Sequence, residues 1–164
     1  LCKLYCMNIY KNFLPMKTFA EVKEKIMSDY FPWYFNDGVS YDNDKHFQFT
    51  FTFMDNTEKL CADYIFKHIE PVVKKIKCNK INRIKANLLT KTKDIIEHDF
   101  HIDQPKGTTG ILYINNCNGY TKFKNGKKIK SEENKYVEFD STLQHAGSSC
   151  TDQKRRVVIN FNYV

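Results

Sequence analysis

The second half of the 164-residue chain is a series of short β-rich segments separated by polar turns. These segments are 81–89, 109–115, 120–124, 127–130, 136–140 and 155–163. The pair Asn125-Gly126 lies between two of them and predicts a tight hairpin turn, because both residue types tolerate the positive φ angles that such turns need. Several short strands in succession typically close into a β-sandwich or barrel.

The first helix is predicted to begin at Thr18. Thr18 and Glu21 have the spacing of a capping box, in which each side chain binds a free backbone N–H group of the first turn. Phe19, Val22 and Ile26 follow at helical spacing and predict one apolar face. Pro32 should end this helical segment.

A strand and a second helix are predicted next. The segment His46–Met54 alternates aromatic with polar residues, which is the period of a strand with one buried face. After it, Asn56 is a candidate N-cap residue and Pro71 a candidate kink. The apolar stripe of this second helix is predicted from Cys61, Ile65, Ile69, Val72 and Ile76.

Helices followed by strands predict an α+β fold, with helices packed on one face of a β-sandwich or barrel. We expect residues 1–164 to form a single domain, since this length suits one hydrophobic core. Residues 1–80 would contribute supporting helices and the first strands, and residues 81–164 the core of the sandwich or barrel.

The chain is basic, with 26 Lys and Arg residues against 19 Asp and Glu and a net charge of +7. Such a charge attracts nucleic acids, acidic proteins or small dianionic acids. The lysines are spread along the chain, and the sequence has no arginine-rich arm. A solvated basic surface is therefore favoured over nucleic-acid binding.

The six cysteines follow neither a zinc-binding spacing nor a dense disulfide framework, which favours reduced thiols. No apolar stretch has the length of a membrane span, and the first residues do not have the pattern of a secretory signal. We therefore expect a cytoplasmic protein that does not bind membranes.

The pattern His101-Ile102-Asp103 places an imidazole and a carboxylate two residues apart, which on a strand would point to one side. His145 follows forty-two residues after Asp103. Two histidines and one carboxylate on one face of a metal ion form the facial triad of non-haem Fe(II) oxygenases, which leaves positions open for other ligands. Taken alone, the His-x-Asp pattern fits a surface pair beside a turn equally well.

The closing segment "RRVVINFNY" begins with two arginines shortly after His145. A guanidinium holds a carboxylate through two parallel hydrogen bonds, as the far end of a dicarboxylate co-substrate requires. Neighbouring residues of a strand point to opposite faces, so only one of Arg155 and Arg156 can enter the pocket.

Four motifs stand in order: "FHID", "GILYINNCNGYTKF", "NKYVEFDSTLQHAG" and "RRVVINFNY". In this order the chain resembles the prolyl-4-hydroxylase-like 2-oxoglutarate and Fe(II)-dependent oxygenases, including small bacterial and phage forms. The resemblance covers residues 81–164, about half of the chain. It implies a double-stranded β-helix, or jelly roll, with supporting helices at the N-terminal side.

The resemblance also implies roles for individual residues. His101, Asp103 and His145 match the iron ligands, and Tyr113 matches a tyrosine whose hydroxyl helps to bind the co-substrate carboxylate. Arg156 fits the closing pattern better than Arg155.

Further positions are implied less directly. Asn160, four residues after Arg156, would face the same pocket, and Asn87 lies where relatives supply pocket residues, with a structural role in a turn or edge as the alternative. The chain departs from the common pattern at Val158, where many relatives carry Ser, and at Leu89, where Tyr is frequent.

The activity implied is hydroxylation of an unactivated C–H bond, with 2-oxoglutarate converted to succinate and CO2. The cofactors implied are Fe(II), 2-oxoglutarate as co-substrate and O2, with ascorbate as a possible addition. The carboxylate of Asp103 argues against a halogenase, in which that ligand is lost. A prolyl residue of a protein or peptide is the first substrate hypothesis; an amino acid, another small metabolite or a nucleic-acid base would suit the same iron site.

Two rival functions remain at this point. A non-catalytic, basic jelly-roll protein that binds nucleic acid or an acidic partner would be expected to lack a metal ligand or the carboxylate anchor. A cupin-like metal enzyme that does not use 2-oxoglutarate would be expected to carry more clustered histidines.

Overall fold

The structure is a computed structural model that describes residues 7–41 and 44–164. These residues form three helices and eleven strands. The helices are α1 (Met16–Met27), α2 (Asp63–Phe66) and α3 (Glu70–Lys75). The strands are β1 (Asn8–Tyr10), β2 (Tyr34–Asn36), β3 (Gln48–Asp55), β4 (Glu58–Lys59), β5 (Ile81–Thr90), β6 (Thr108–Tyr113), β7 (Tyr120–Phe123), β8 (Lys128–Lys130), β9 (Lys135–Asp140), β10 (His145–Gly147) and β11 (Arg155–Tyr163).

The strands form two antiparallel sheets. The large sheet has the order β1-β9-β6-β11-β5-β3-β2, with β4 paired to β3, and the small sheet has the order β10-β7-β8. Phe123 and Ile129 of the small sheet pack against Ile111, Val137 and Phe139 of the large sheet, so the two sheets face each other. The predicted α+β jelly roll is confirmed.

The main hydrophobic core covers the other face of the large sheet. Phe19, Val22 and Ile26 of α1 pack there against apolar side chains of the sheet such as Phe53 and Ile159. Each fully buried side chain of this size contributes roughly 1.5–3 kcal/mol to the free energy of unfolding. The helices thus brace the sheet from behind and leave its opposite face free for the site.

The predicted apolar face of the first helix is correct, but its predicted start is wrong. Helix α1 begins at Met16, and the Pro15 carbonyl accepts the first helical hydrogen bond from Phe19 N at 2.9 Å. Thr18 lies inside the first turn, and no side chain caps this end of the helix. The helix ends at Met27, before Pro32, because Ser28 adopts an extended conformation.

The single long helix predicted after Asn56 is wrong. Asn56 lies in the turn between β3 and β4 with a φ of 47°, and two short helices follow. Pro71 lies in the first turn of α3, where its missing N–H group and fixed φ suit a helix start. None of the helices in the described ranges is long and apolar enough to cross a membrane.

The aromatic strand is present as β3, but the prediction of one buried face is incomplete. Phe51 and Phe53 enter the main core, while Gln48 and Thr50 point the other way and are also buried. Buried polar side chains on that face show that the inner side of the large sheet is covered as well.

The strands predicted in the second half are present with shifts of at most two residues at their ends. The hairpin at Asn125-Gly126 is confirmed. Gly126 has a φ of 89°, and the main chains of Phe123 and Lys127 pair across the turn, with Phe123 N donating to Lys127 O at 2.8 Å. Cys61, Cys78, Cys117 and Cys150 are free thiols, and the remaining cysteines, Cys2 and Cys6, lie outside the described residues.

Candidate active site

Three polar side chains meet between the two sheets. Nε2 of His101 lies 3.6 Å from Oδ1 of Asp103, and Nε2 of His145 lies 3.7 Å from the same oxygen. One donor atom from each residue lies within 4.8 Å of the other two. This is a separation that a single metal ion can bridge.

The main chain holds the two histidines together, in a way that differs from the predicted strand. Residues 101–103 form no strand; His101 instead makes an isolated bridge to His145. The N–H group of each histidine donates to the carbonyl of the other at 3.0 Å. Asp103 lies beyond this bridge, so its side chain needs other restraints.

Hydrogen bonds around the triad leave its metal-facing atoms free. Leu143 O lies 2.9 Å from Nδ1 of His145, which fixes the proton on Nδ1 and leaves Nε2 as a lone-pair donor. Oδ2 of Asp103 accepts hydrogen bonds from Thr109 Oγ1 at 3.0 Å and from Asn162 Nδ2 at 3.1 Å. The other oxygen, Oδ1, is therefore directed at the histidines. Such outer partners set the orientation of metal ligands.

The electrostatics of the triad favour an ionised carboxylate and a neutral His145. Burial disfavours the charged form of Asp103, but His101, His145 and Asn162 outweigh it and hold the pKa of Asp103 below its ordinary value. Burial lowers the pKa of His145. Burial also opposes protonation of His101, yet the adjacent Asp103 carboxylate raises its pKa.

This donor set fits a divalent metal. Nε2 of His145 is buried and has no hydrogen-bond partner in the described part of the chain, which is costly unless a ligand takes its lone pair. Two imidazoles and one carboxylate are the facial set suited to Fe(II), with the remaining positions open. The open side faces a cavity of about 310 Å³ that is lined by all three residues.

Arg156 enters the same cavity and is almost fully buried, with 3% of its surface exposed. Its Nε donates to Ser131 Oγ at 2.8 Å, and its Nη2 donates to Thr121 Oγ1 at 3.2 Å. No carboxylate lies within ion-pair distance of it among the described residues. A buried guanidinium without a counter-charge creates a site for a carboxylate ligand.

Tyr113 lies beside this arginine. The guanidinium carbon of Arg156 is 5.8 Å from the centre of the Tyr113 ring, and the tyrosine hydroxyl donates to Thr121 Oγ1 at 2.8 Å. Burial raises the pKa of Tyr113, so its hydroxyl stays protonated and able to donate. Tyr113 and Arg156 thus share Thr121 as a common partner.

Arg155 takes the opposite direction. Its Nη2 donates to Met27 O at the end of α1 at 2.5 Å, on the helix side of the sheet. Asn160 lines the cavity, and its Oδ1 is buried without a hydrogen-bond partner in the described part of the chain. Asn87 also lines the cavity and donates from Nδ2 to Lys85 O at 3.2 Å. Val158 and Leu89, the two positions at which the sequence departs from the pattern it resembles, form apolar parts of the wall.

Sequence reasoning missed the residues that support the site. Thr109 and Asn162 orient Asp103, and Thr121 and Ser131 hold Arg156. Gly119 gives the arginine room, since a Cβ atom there would lie 2.6 Å from Arg156 Cδ. Single Thr, Ser and Asn residues in strands carry no distinctive pattern. Of these residues, only Asn162 could have been identified from the sequence, because it lies on the same strand face as Arg156 and Asn160.

The other histidines take no part in the triad. His98 is buried against His46, with ring centres 5.0 Å apart, and His68 lies beyond α2 on the helix side. No further group of metal-ligating side chains occurs within the described ranges.

Comparison with known proteins gives a clear result for structure and none for sequence. The sequence matches no known protein-family model and no curated protein. The fold matches a Trichoplax adhaerens prolyl hydroxylase, solved with a hypoxia inducible factor oxygen degradation domain peptide, at a TM-score of 0.65 and 17% identity, over 96% of this chain and 82% of that one. It also matches a 2OG-Fe(II) oxygenase family oxidoreductase from Burkholderia pseudomallei at a TM-score of 0.69 and 10% identity, over 97% and 84% of the two chains.

A third solved structure agrees with these two. A prolyl-4-hydroxylase from Pseudomonas putida has a TM-score of 0.63 and 11% identity, with 98% of this chain and 93% of that one covered. The chain therefore has the double-stranded β-helix fold of 2-oxoglutarate and Fe(II) oxygenases.

Proposed function

We propose that this chain is a prolyl-4-hydroxylase-like oxygenase that uses Fe(II), 2-oxoglutarate and O2 to hydroxylate an unactivated C–H bond. The proposal takes residues 1–164 as one catalytic unit, with the ligands and anchors in 81–164 and supporting elements in 1–80. Residues 1–80 also border the site, since Asn36 and Gln48 line the cavity.

One observation carries the proposal. A three-residue metal-ligand set and a buried arginine without a counter-charge line the same cavity. Metal sites occur in many classes of protein, and a buried arginine by itself lowers the stability of the fold. Together they match the two ends of 2-oxoglutarate, since a keto acid chelates a metal at one end and carries a free carboxylate at the other.

Each residue has a role in this proposal. His101, Asp103 and His145 would hold Fe(II), while Thr109 and Asn162 keep the Asp103 carboxylate in position. Arg156 and the Tyr113 hydroxyl would bind the far carboxylate of 2-oxoglutarate, and Asn160 and Asn87 would contact the co-substrate or substrate from the cavity wall. When bound, Fe(II) and 2-oxoglutarate supply the activation of O2, with succinate and CO2 as products.

The substrate is proposed as a peptide or a small molecule, with a prolyl residue as the first candidate. The support is the fold, since the Trichoplax adhaerens structure is that of a prolyl hydroxylase with a bound peptide. Function within one fold varies with the residues of the site, so this analogy gives a starting point for assays.

The rival function is that of a non-catalytic basic binding protein. Such a protein has no use for a buried lone-pair nitrogen at His145 or a buried cation at Arg156, both of which lower the stability of the fold unless a ligand binds. The complete ligand set therefore favours the enzyme.

Turnover tests the proposal directly. We expect Fe(II)-dependent formation of succinate from 2-oxoglutarate by the purified protein, abolished in His145→Ala and retained in His68→Ala, which removes a histidine from the helix side. Succinate formation that is absent from the wild type, or unchanged in His145→Ala, would contradict it.

A further inference from the structure

The wall of the cavity next to the triad is basic. On β5, Arg83, Lys85, Asn87 and Leu89 alternate with core residues, and all four line the cavity. Asp103, a proposed metal ligand, is the only acidic residue that lines it among the described residues. Two basic side chains, Arg83 and Lys85, thus line the cavity in addition to Arg156.

Arg83 lies close to the proposed metal site. In the large sheet Arg83 is the cross-strand partner of Asn162, and Asn162 donates to Oδ2 of Asp103 at 3.1 Å. Neighbouring strands lie roughly 4.8 Å apart, so Arg83 stands one strand beyond the residue that holds the metal-ligand carboxylate. Lys85 is likewise the partner of Asn160.

Arg83 has no partner of its own in the described part of the chain. Its Nε is buried without a hydrogen-bond acceptor, and no carboxylate lies within 4.0 Å of its guanidinium. A partly buried guanidinium with unused donors binds an anionic oxygen group through charge-assisted hydrogen bonds.

The co-substrate does not supply that anion. A divalent metal and Arg156 together carry three positive charges, and Asp103 with dianionic 2-oxoglutarate carries three negative charges, so that group of charges is balanced. The charge of Arg83 lies outside this balance, on the side of the cavity formed by β5. An anionic group of a further ligand would neutralise that charge.

We infer that the substrate carries a carboxylate or phosphate group that Arg83 binds next to the metal site. This inference rests on the proposed function and narrows its substrate class to acidic molecules. Asn87, on the same face of β5, offers polar contacts beside it. The carbon to be hydroxylated would lie within about 10 Å of the anionic group, roughly two strand spacings.

The test is binding of a simple anion to protein loaded with Zn(II), which does not activate O2, and saturated with 2-oxoglutarate so that Arg156 is occupied. Inorganic phosphate and acetate are titrated separately by calorimetry, and the tighter of the two identifies the anionic group. We expect Arg83→Gln to weaken binding of the tighter anion by about tenfold or more, the loss typical of charge-assisted hydrogen bonds. Arg83→Lys should recover part of this loss.

Arg155→Gln is the matched control, because it removes the same charge from the helix side of the sheet. Wild type that binds neither anion, or an Arg83→Gln protein that binds as tightly as Arg155→Gln, would overturn the inference. Binding of 2-oxoglutarate is measured in the same samples. Its absence from the wild type would refute the proposed function, whereas normal 2-oxoglutarate binding without an Arg83 effect would refute only the acidic substrate.

Discussion

The backbones of His101 and His145 are joined by two hydrogen bonds of 3.0 Å, which bring their imidazole rings to 4.7 Å between centres. Forty-three residues separate the two along the chain, and β10 begins at His145. The isolated bridge between His101 and the first residue of β10 therefore creates the histidine pair before any metal binds. A site preformed in this way loses little conformational entropy when it takes up a ligand.

The first prediction concerns the metal ligands. His145→Ala should weaken Fe(II) binding by more than the ~10–100-fold that loss of an outer-shell partner typically causes, because a direct ligand is removed. His68→Ala should bind Fe(II) like the wild type. Anaerobic calorimetric titration measures both, and equal affinities in the two variants would refute the role of His145.

The second prediction concerns the hydroxyl that orients Asp103. Thr109→Val keeps the shape of the side chain but removes the hydrogen bond to Asp103 Oδ2, so we expect metal affinity to fall by about tenfold. Thr108→Val, the same change at the preceding position of β6, points to the other face of the sheet and serves as the control. The account fails here if the two variants bind metal equally well.

The third prediction separates stability from binding at Arg156. Burial of a charged group without a counter-charge lowers the free energy of unfolding, so Arg156→Met without ligands should unfold at the same urea concentration as the wild type or higher. In the wild type, 2-oxoglutarate at one hundred times its Kd should add about 2.7 kcal/mol to the free energy of unfolding. Arg156→Met should show no such gain, and Arg155→Met should show it in full.

The fourth prediction concerns pH. Burial, and to a lesser degree the neighbouring His46, lowers the pKa of His98 to about 4, against 6.5 for an ordinary histidine. The folded state thus resists protonation of His98 more than the unfolded state does. The contribution of His98 to the free energy of unfolding is complete above pH 6.5 and is lost as the pH falls from 6.5 toward 4. Urea unfolding should show a shallower decline over this range in His98→Phe than in the wild type; parallel declines would contradict the assignment.

Much of the fold was readable from local sequence. Alternation of aromatic and polar residues predicted β3, and short β-rich runs between polar turns predicted β5 and the strands after it. The spacing of Phe19, Val22 and Ile26 predicted the buried face of α1. Local sequence patterns predicted the wrong boundary where more than one residue could start a helix. Thr18 and Glu21 satisfy the pattern of a capping box, but the helix begins earlier, at Met16, because the Pro15 carbonyl is already in place to accept its first hydrogen bond.

The candidate site was predictable only in part, for a physical reason. The His-x-Asp pattern alone fits a surface pair equally well, and the triad and Arg156 could be singled out because they match an ordered set of motifs that resembles a known family. Thr121 and Ser131 act through hydrogen bonds to a residue more than twenty positions away, and no local pattern reports such a contact. Arg83 was not singled out, since its meaning depends on the cavity it lines and on the absence of a nearby carboxylate.

The most direct test of the account is anaerobic visible absorption of the protein after addition of Fe(II) and then 2-oxoglutarate. We expect a weak charge-transfer band that needs both additions, is lost in His101→Ala, and requires far more 2-oxoglutarate in Arg156→Ala. That result would establish that the triad and the buried arginine bind one metal and one co-substrate together. A wild-type protein with no band and no affinity for 2-oxoglutarate would contradict the account and favour a non-catalytic binding protein.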